Sequence, residues 1–261
     1  MGTIIRDMTK DDEYYVGTCT HVNENNIEYE MSAPRRISWL RNMEHHGLRV
    51  KVALLNNIHA GFLYIMPIEI NPWSIEGKEL MVFPCLVSHS KFAKKGIGKE
   101  LIKAAEEETY KQNRKGIATI AYFWDFWFMP AEYFLKLGFK IAEKQGEEAI
   151  FWKQLDKSAN PPYFRKKKYE FKPEKGKIIV DLFWNRFCLT SDVEAQRVRD
   201  VLSEFGNNVV LNEFSAIDKP ILQRYGISRG IYVNGQRMEI GPEIEKTKLR
   251  EVINNALVKL N

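Results

Sequence analysis

Cysteine is scarce in this chain of 261 residues: Cys19, Cys85 and Cys188 lie far apart and form no C-x-x-C pair. That pattern excludes a disulfide framework and a cysteine zinc site. The adjacent His45 and His46 are poorly spaced to share one ion and no H-x-x-x-H occurs, so no metal is expected. No run of about 18 apolar residues exists, which argues against a membrane span. The opening "MGTIIRDMTKDDE" has no apolar stretch of the kind a secretory signal needs, and a cytoplasmic, reducing location is expected. Excess charge of one sign is also missing. With 39 basic and 34 acidic residues, the net charge of +5 gives no basic stripe of the kind nucleic acid requires, and no nucleic-acid partner is expected. The densest cluster, Arg165 to Lys168, is expected to be a solvated linker face.

What is present is an ordinary globular composition, 44% hydrophobic and 28% charged, enough to bury a sizeable core. The length suits two domains. A seam rich in charge, with Pro161, Pro162, Pro173 and Gly176, separates two stretches that each have their own apolar periodicity. The expected division is a domain over 1–155, a linker over 156–176 and a smaller domain over 177–261.

In the first part the patterns predict α/β architecture, with strands and helices alternating around one mixed sheet. "LRVKVALLNN" and "HAGFLYIMPIE" read as strands joined at Asn56 and Asn57, and "KELMVFPCLVSH" as a further strand. A helix from about Ile97 to Asn113, the strand "GIATIAYFW", the helix "PAEYFLKLG" and the strand "EEAIFWKQL" follow. Pro84, inside the "KELMVFPCLVSH" strand, cannot donate to a ladder. A bulge or a splayed strand pair is expected there, opening a slot beside Cys85, Leu86 and Val87 for an extended ligand.

That strand leads into "VSHSKFAKKGIGKELIKAAEEE". A helix start leaves about four N–H groups without internal partners and carries roughly half a positive charge. Gly96 and Gly98 would let a diphosphate approach such a start without meeting a Cβ, with Lys91, Lys94, Lys95 and Lys99 around it. A Rossmann fingerprint and a Walker loop are both excluded, because the third glycine and the G-K-[ST] ending are missing. The loop "AKKGIG", the helix behind it and the later "MPAEYFLKLGF" together resemble the GNAT N-acetyltransferase family, over roughly residues 3–155. The resemblance implies the GNAT mixed-sheet fold with splayed central strands and acetyl-CoA as co-substrate. Leu86 and Val87 would pair with the pantetheine arm, and Ala93, Lys94, Lys95, Gly96, Ile97, Gly98 and Lys99 would hold the diphosphate. Ala93 stands where the family usually has arginine or glutamine.

Transfer to an amine of a small molecule or peptide then needs a base for the ammonium proton and an acid for the departing thiolate. Many family members carry F-Y-x-K-x-G-F, where the tyrosine is the acid. In "YFLKLGF" that position is Phe134, expected to contact the cofactor, and Tyr133 precedes it as a displaced candidate acid. Glu79 and Asp125, at ends of strands expected to line the slot, are the candidate bases; His89 is closer to the diphosphate. Cys85 could face the thioester, and Trp124 or Trp127 could wall an acceptor pocket.

The second part predicts the order β-α-β-α-β-β-α, with the Asn234-Gly235 hairpin turn, and so resembles the thioredoxin/glutaredoxin fold. Cys188 then stands at the nucleophile position as a redox candidate, with Ser191 where a second cysteine would resolve. Ile227, Ser228 and Arg229 replace the threonine-valine-proline of glutaredoxins, which favours a binding or dimerising module, a homodimer included. The whole arrangement is similar to the YoaP-type acetyltransferases. Two alternatives to catalysis stay open: a CoA-binding sensor that lost its tyrosine, and a monothiol redox protein.

Overall fold

The computed structural model describes residues 2–124, 128–239 and 243–259. It divides into two compact units, the first formed by Met1–Asn25, Ile37–Asn71 and Ile75–Arg165, the second by Asn26–Arg36, Pro72–Ser74 and Lys166–Asn261. The division does not follow chain order as the seam suggests, since 26–36 and 72–74 group with the C-terminal part.

The first unit is built on a mixed seven-stranded sheet in the order β1-β2-β3-β5-β6-β8-β7. Its strands are β1 (Thr3–Asp7), β2 (Arg49–Leu55), β3 (Ile58–Pro67), β5 (Leu80–Ser88), β6 (Gly116–Tyr122), β7 (Lys140–Gln145) and β8 (Glu148–Gln154). The two-residue segments β4 (Ile75–Glu76) and β9 (Tyr163–Phe164) pair separately. Its helices are α1 (Glu13–Thr18), the C-terminal part of α2 (Ile27–Glu44), α3 (Ile97–Lys111) and α4 (Ala131–Lys136). β2 and β3 form a hairpin because Asn56 and Asn57 take φ of 54° and 62°, which a two-residue I′ turn requires and asparagine tolerates. β5 and β6 are parallel, so a crossover helix is needed between them, and α3 supplies it. Within α3 the buried residues Ile97, Leu101, Ile102, Ala105, Glu108 and Thr109 recur with helical period on one face. That face packs with Leu63, Ile65, Phe83, Phe134, Phe139 and Phe151 in one core. β7 carries no sequence signal because it is a charged edge strand with no fully buried position, a common way to blunt a sheet edge.

The expected break at Pro84 is present. On the β3 side Tyr64 pairs with Cys85 and Met66 with Val82, so Phe83 and Pro84 together oppose Ile65 in a bulge. On the β6 side pairing stops at Val82 and Ala118. Beyond that point β5 and β6 diverge, and the buried Thr119 hydroxyl donates to the Phe83 carbonyl (2.7 Å) that the ladder no longer satisfies.

The second unit has a four-stranded sheet in the order β11-β10-β12-β13, from β10 (Ile178–Trp184), β11 (Val209–Ser215), β12 (Gly230–Val233) and β13 (Gln236–Arg237). β10 runs parallel to β11 and antiparallel to β12, which pairs antiparallel with β13. Helices α5 (Leu189–Leu202), α6 (Lys219–Tyr225) and α7 (Lys246–Val258) complete the predicted order. One face of the sheet packs Val180, Leu182, Ile231 and Val233 against Val198, Leu249 and Ile253 of α5 and α7. The other face carries an aromatic cluster that includes Phe183, Phe214, Tyr225 and Tyr232.

Candidate functional site

The two lines of sequence evidence in the first unit meet in one cavity of about 510 Å³. Its walls come from the end of β5 (Leu86, Val87, Ser88), the start of α3 (Gly96 to Lys99) and α4 with the residues before it. α4 is held in place at both ends. The Tyr122 N–H bonds the Met129 carbonyl (3.0 Å), fixing the entry, and the Gly138 and Phe139 N–H groups close the exit on Leu135 and Phe134.

At the start of α3, Gly96 is the N-cap with φ 79°, a left-handed conformation that glycine adopts without strain. Glu100 N–H is the first to bond back, to the Gly96 carbonyl (3.1 Å). By helix geometry the N–H groups of Ile97, Gly98 and Lys99 are left pointing out of the first turn. A Cβ at Gly96 would meet nothing within 4 Å, so this side of the turn is open. Gly98 differs: a Cβ there would lie 2.5 Å from Tyr133 Oη and 3.3 Å from Tyr133 Cζ. The second glycine therefore makes room for a phenol, rather than solely for a ligand as its spacing suggests. Lys94, Lys95 and Lys99 are exposed around this turn, with no ion pair among the described residues. Ala93 is exposed in the approach to the loop and stands outside the cavity wall.

Tyr133 and Phe134 both reach the cavity, but differently. Phe134 is fully buried, packed on Phe83 and Phe139 with ring centroids 5.9 and 5.7 Å away. Tyr133 is half-buried, and burial raises its pKa, so the phenol is protonated at neutral pH. Glu79 does not line the cavity. It immediately precedes β5, at the end where that strand is still paired with β6, roughly 20 Å from Leu86. Its carboxylate is exposed and bonded to Lys115 (2.7 Å). His89 stands outside the wall, its Nδ1 accepting a long bond from the Lys91 N–H (3.4 Å). Cys85 is buried opposite Tyr64, also outside the wall. Trp124 is exposed and stacks on Tyr122 at 5.1 Å. Asp125 and Trp127 lie outside the described residues.

The sequence gives no sign of Thr20, Phe92 and Phe128, which also line the cavity. None belongs to a motif, and each arrives by tertiary packing. Nor does local pattern single out Thr119, whose role depends on where the ladder parts.

In the second unit Cys188 is the N-cap of α5 and half-exposed. Its N–H donates to Asn185 Oδ1 (3.0 Å), and the Asn185 N–H donates to the buried Ser191 Oγ (3.1 Å). The neighbouring Phe187 is buried; its carbonyl accepts from Arg36 Nε (2.8 Å) and its ring lies 6.1 Å from Trp73. Three residues beyond the start, Asp192 is buried and accepts from Ser32 Oγ (2.6 Å) and Arg35 Nε (2.9 Å). Among the described residues no group of three or more His, Cys, Asp or Glu is gathered to hold a metal ion, and no helix is long and apolar enough to cross a membrane.

No protein-family model matches the chain, and no curated protein matches it in sequence. Solved structures do resemble it. An acetyltransferase of the GNAT family from Staphylococcus aureus Mu50 is 15% identical with a TM-score of 0.45, covering 59% of this chain and 100% of its own. The PaiA N-acetyltransferase of Thermoplasma acidophilum, in complex with coenzyme A, is 17% identical with a TM-score of 0.43, covering 59% and 99%. An aminoglycoside 6′-N-acetyltransferase complexed with coenzyme A is 15% identical with a TM-score of 0.45, covering 60% and 99%.

Proposed function

We propose that the first unit is an acetyl-CoA-dependent N-acetyltransferase of the GNAT type, acting on an amine of a small molecule or peptide. One observation carries this reading: the end of β5, beyond the point where its pairing with β6 stops, and the open glycine start of α3 line one continuous, mostly apolar cavity. The residues fit coenzyme A, with free first-turn N–H groups and lysines for a diphosphate and an unpaired strand edge at Leu86 and Val87 for an amide-bearing arm. When bound, the co-substrate supplies a thioester carbon open to attack. The amine nitrogen forms its bond to that carbon, the carbon–sulfur bond breaks with its electron pair on sulfur, and the amine proton passes to a base. With Glu79 away from the cavity, Asp125 is the carboxylate we propose for that proton.

A second reading, a CoA-binding sensor with little turnover, is favoured by Phe134, which buries a hydroxyl-free ring where the family's acid would stand. For the C-terminal part we propose a thioredoxin-like module of the YoaP type, a reading that rests on the element order and on the sheet order β11-β10-β12-β13 for its fold and on the sequence resemblance for its type. The burial of Phe187 under Arg36 and the engagement of Ser191 favour binding over thiol chemistry at Cys188.

The test is calorimetry with coenzyme A, followed by thiol release from acetyl-CoA across an amine panel. Binding with release supports the transferase, and binding without release across the panel supports the sensor. Replacing Lys94, Lys95 and Lys99 by Glu together weakens coenzyme A by about tenfold or more, most at low salt. A triple variant with wild-type affinity would remove the loop from the binding site.

A further inference from the structure

We propose that the Tyr133 hydroxyl is a diphosphate-binding group, completing the anion site at the start of α3, and so makes the site selective for donors that carry a diphosphate. The inference rests on the acetyl-CoA reading above and assigns Tyr133 a place that its sequence position does not suggest.

The geometry is set by the close approach to Gly98. A Cβ at that position would sit 2.5 Å from the phenol oxygen, a separation real Cβ atoms essentially never show, so the hydroxyl lies directly over the first turn of α3. Phe134, the next residue, is fully buried in the core, and the Tyr133 ring packs edge-on against it at 5.4 Å. Among the described residues the Tyr133 hydroxyl makes no hydrogen bond, although the side chain is half-buried and lines the cavity. Burial keeps the phenol protonated at neutral pH, as a donor. The N–H groups of Ile97, Gly98 and Lys99 leave the same turn and call for an anion. A phosphate oxygen seated on them has the phenol as a further donor, and hydrogen bonds to charged groups are about twice as strong as neutral ones. An acid for the departing thiolate would instead stand beside the gap between β5 and β6, which begins at Phe83 and Thr119.

The experiment compares wild type with Tyr133→Phe, using two probes: coenzyme A, and acetylpantetheine, which keeps the thioester arm and lacks the diphosphate. The variant is expected to bind coenzyme A about tenfold more weakly and acetylpantetheine as the wild type does. Equal affinity of both proteins for coenzyme A overturns the assignment. So does an equal loss with both donors, or a turnover defect whose alkaline pH limb has moved, since these are the marks of an acid at sulfur. A cycle with Gly98→Ala tests the placement alone. The single variant is expected to lose thermal stability and coenzyme A affinity together. In Gly98→Ala/Tyr133→Phe part of the stability returns, because removing the oxygen leaves the nearest ring atom at 3.3 Å, while coenzyme A affinity stays at or below that of Tyr133→Phe. Strict additivity of stability would place the phenol elsewhere, whatever the ligand. Wild-type protein that binds no coenzyme A would overturn the transferase reading and this assignment with it, whereas the stability cycle would still report where the ring sits.

Discussion

Helices α3 and α5 each come after a buried strand, β5 and β10, and their first turns are furnished in opposite ways. The turn of α5 holds Asp192, buried and bonded to Ser32 and Arg35, so negative charge at the positive end of the helix is already supplied by the chain. The turn of α3 starts with two glycines, is ringed by exposed lysines without ion pairs among the described residues, and opens into a cavity. The 3-10 turn Lys10–Asp12 that leads into α1 sides with α5. There Asp12 reaches back to the Thr9 N–H (2.7 Å) while also bonding Arg6 and His59. A helix start is an anion site only where the protein has declined to fill it, and that distinguishes the glycine loop from an ordinary turn better than glycine spacing does.

The contrast can be tested by emptying the filled starts. Asp12→Ala should have the largest effect, about 3 kcal/mol lost in chemical denaturation at neutral pH, because the carboxylate is fully buried and leaves Arg6 and His59 unpaired. The loss should depend on pH. Burial pushes the Asp12 carboxyl up, but hydrogen bonds from Arg6, Thr9 and His59 outweigh it and hold the group well below the usual carboxylate range. A depressed pKa contributes stability that is complete above the unfolded value near 4 and fades as pH falls toward the folded one. The gap between wild type and variant should therefore narrow below about pH 4; a gap that stays constant there would contradict the charged network. Asp192→Ala should cost about 2 kcal/mol, less because Arg35 is partly exposed, read from the thermal unfolding of the intact protein.

Smaller effects separate structure from binding around α3. Thr119→Val leaves the Phe83 carbonyl buried without a donor and should cost about 1–2 kcal/mol, with Thr119→Ser recovering most of it. A serine variant no better than valine would mean that the methyl group, not the hydroxyl, matters. At the bottom of the scale, Glu100→Ala, the acid in the first turn of α3, should stay within about 0.5 kcal/mol of wild type. A loss as large as that of Asp192→Ala would erase the contrast between the two helix starts.

How much of this was legible in the sequence follows from the range of the interactions. The glycine loop, the bulge at Pro84 and the Asn56-Asn57 hairpin are local: each rests on a backbone requirement that a few adjacent residues announce. β7 was invisible because a charged edge strand has no apolar alternation to show. The close approach of Tyr133 to Gly98 is not legible for a different reason: Tyr133 belongs to another helix, and nothing near either residue records the contact. Glu79 was drawn to the slot by lying next to the correct strand, but at the end where that strand is still paired. Likewise, 26–36 read as part of a first-domain helix, while Ser32, Arg35 and Arg36 make their bonds to Asp192 and Phe187.

The divergence of β5 and β6 has a thermodynamic side as well. Past the point where β5 and β6 part, the β6-facing edge of β5 at Leu86 and Val87 has no strand beside it among the described residues, so the sheet is locally one strand short, with Pro84 unable to donate and the Thr119 hydroxyl serving the Phe83 carbonyl at the apex. Any extended guest with amides at suitable spacing completes the sheet, so binding and folding draw on the same hydrogen bonds. Such a guest raises the melting temperature with its own concentration, as a supplied strand would. Amide protons along the gap should exchange freely without it and slowly with it, marking the position of the missing strand residue by residue.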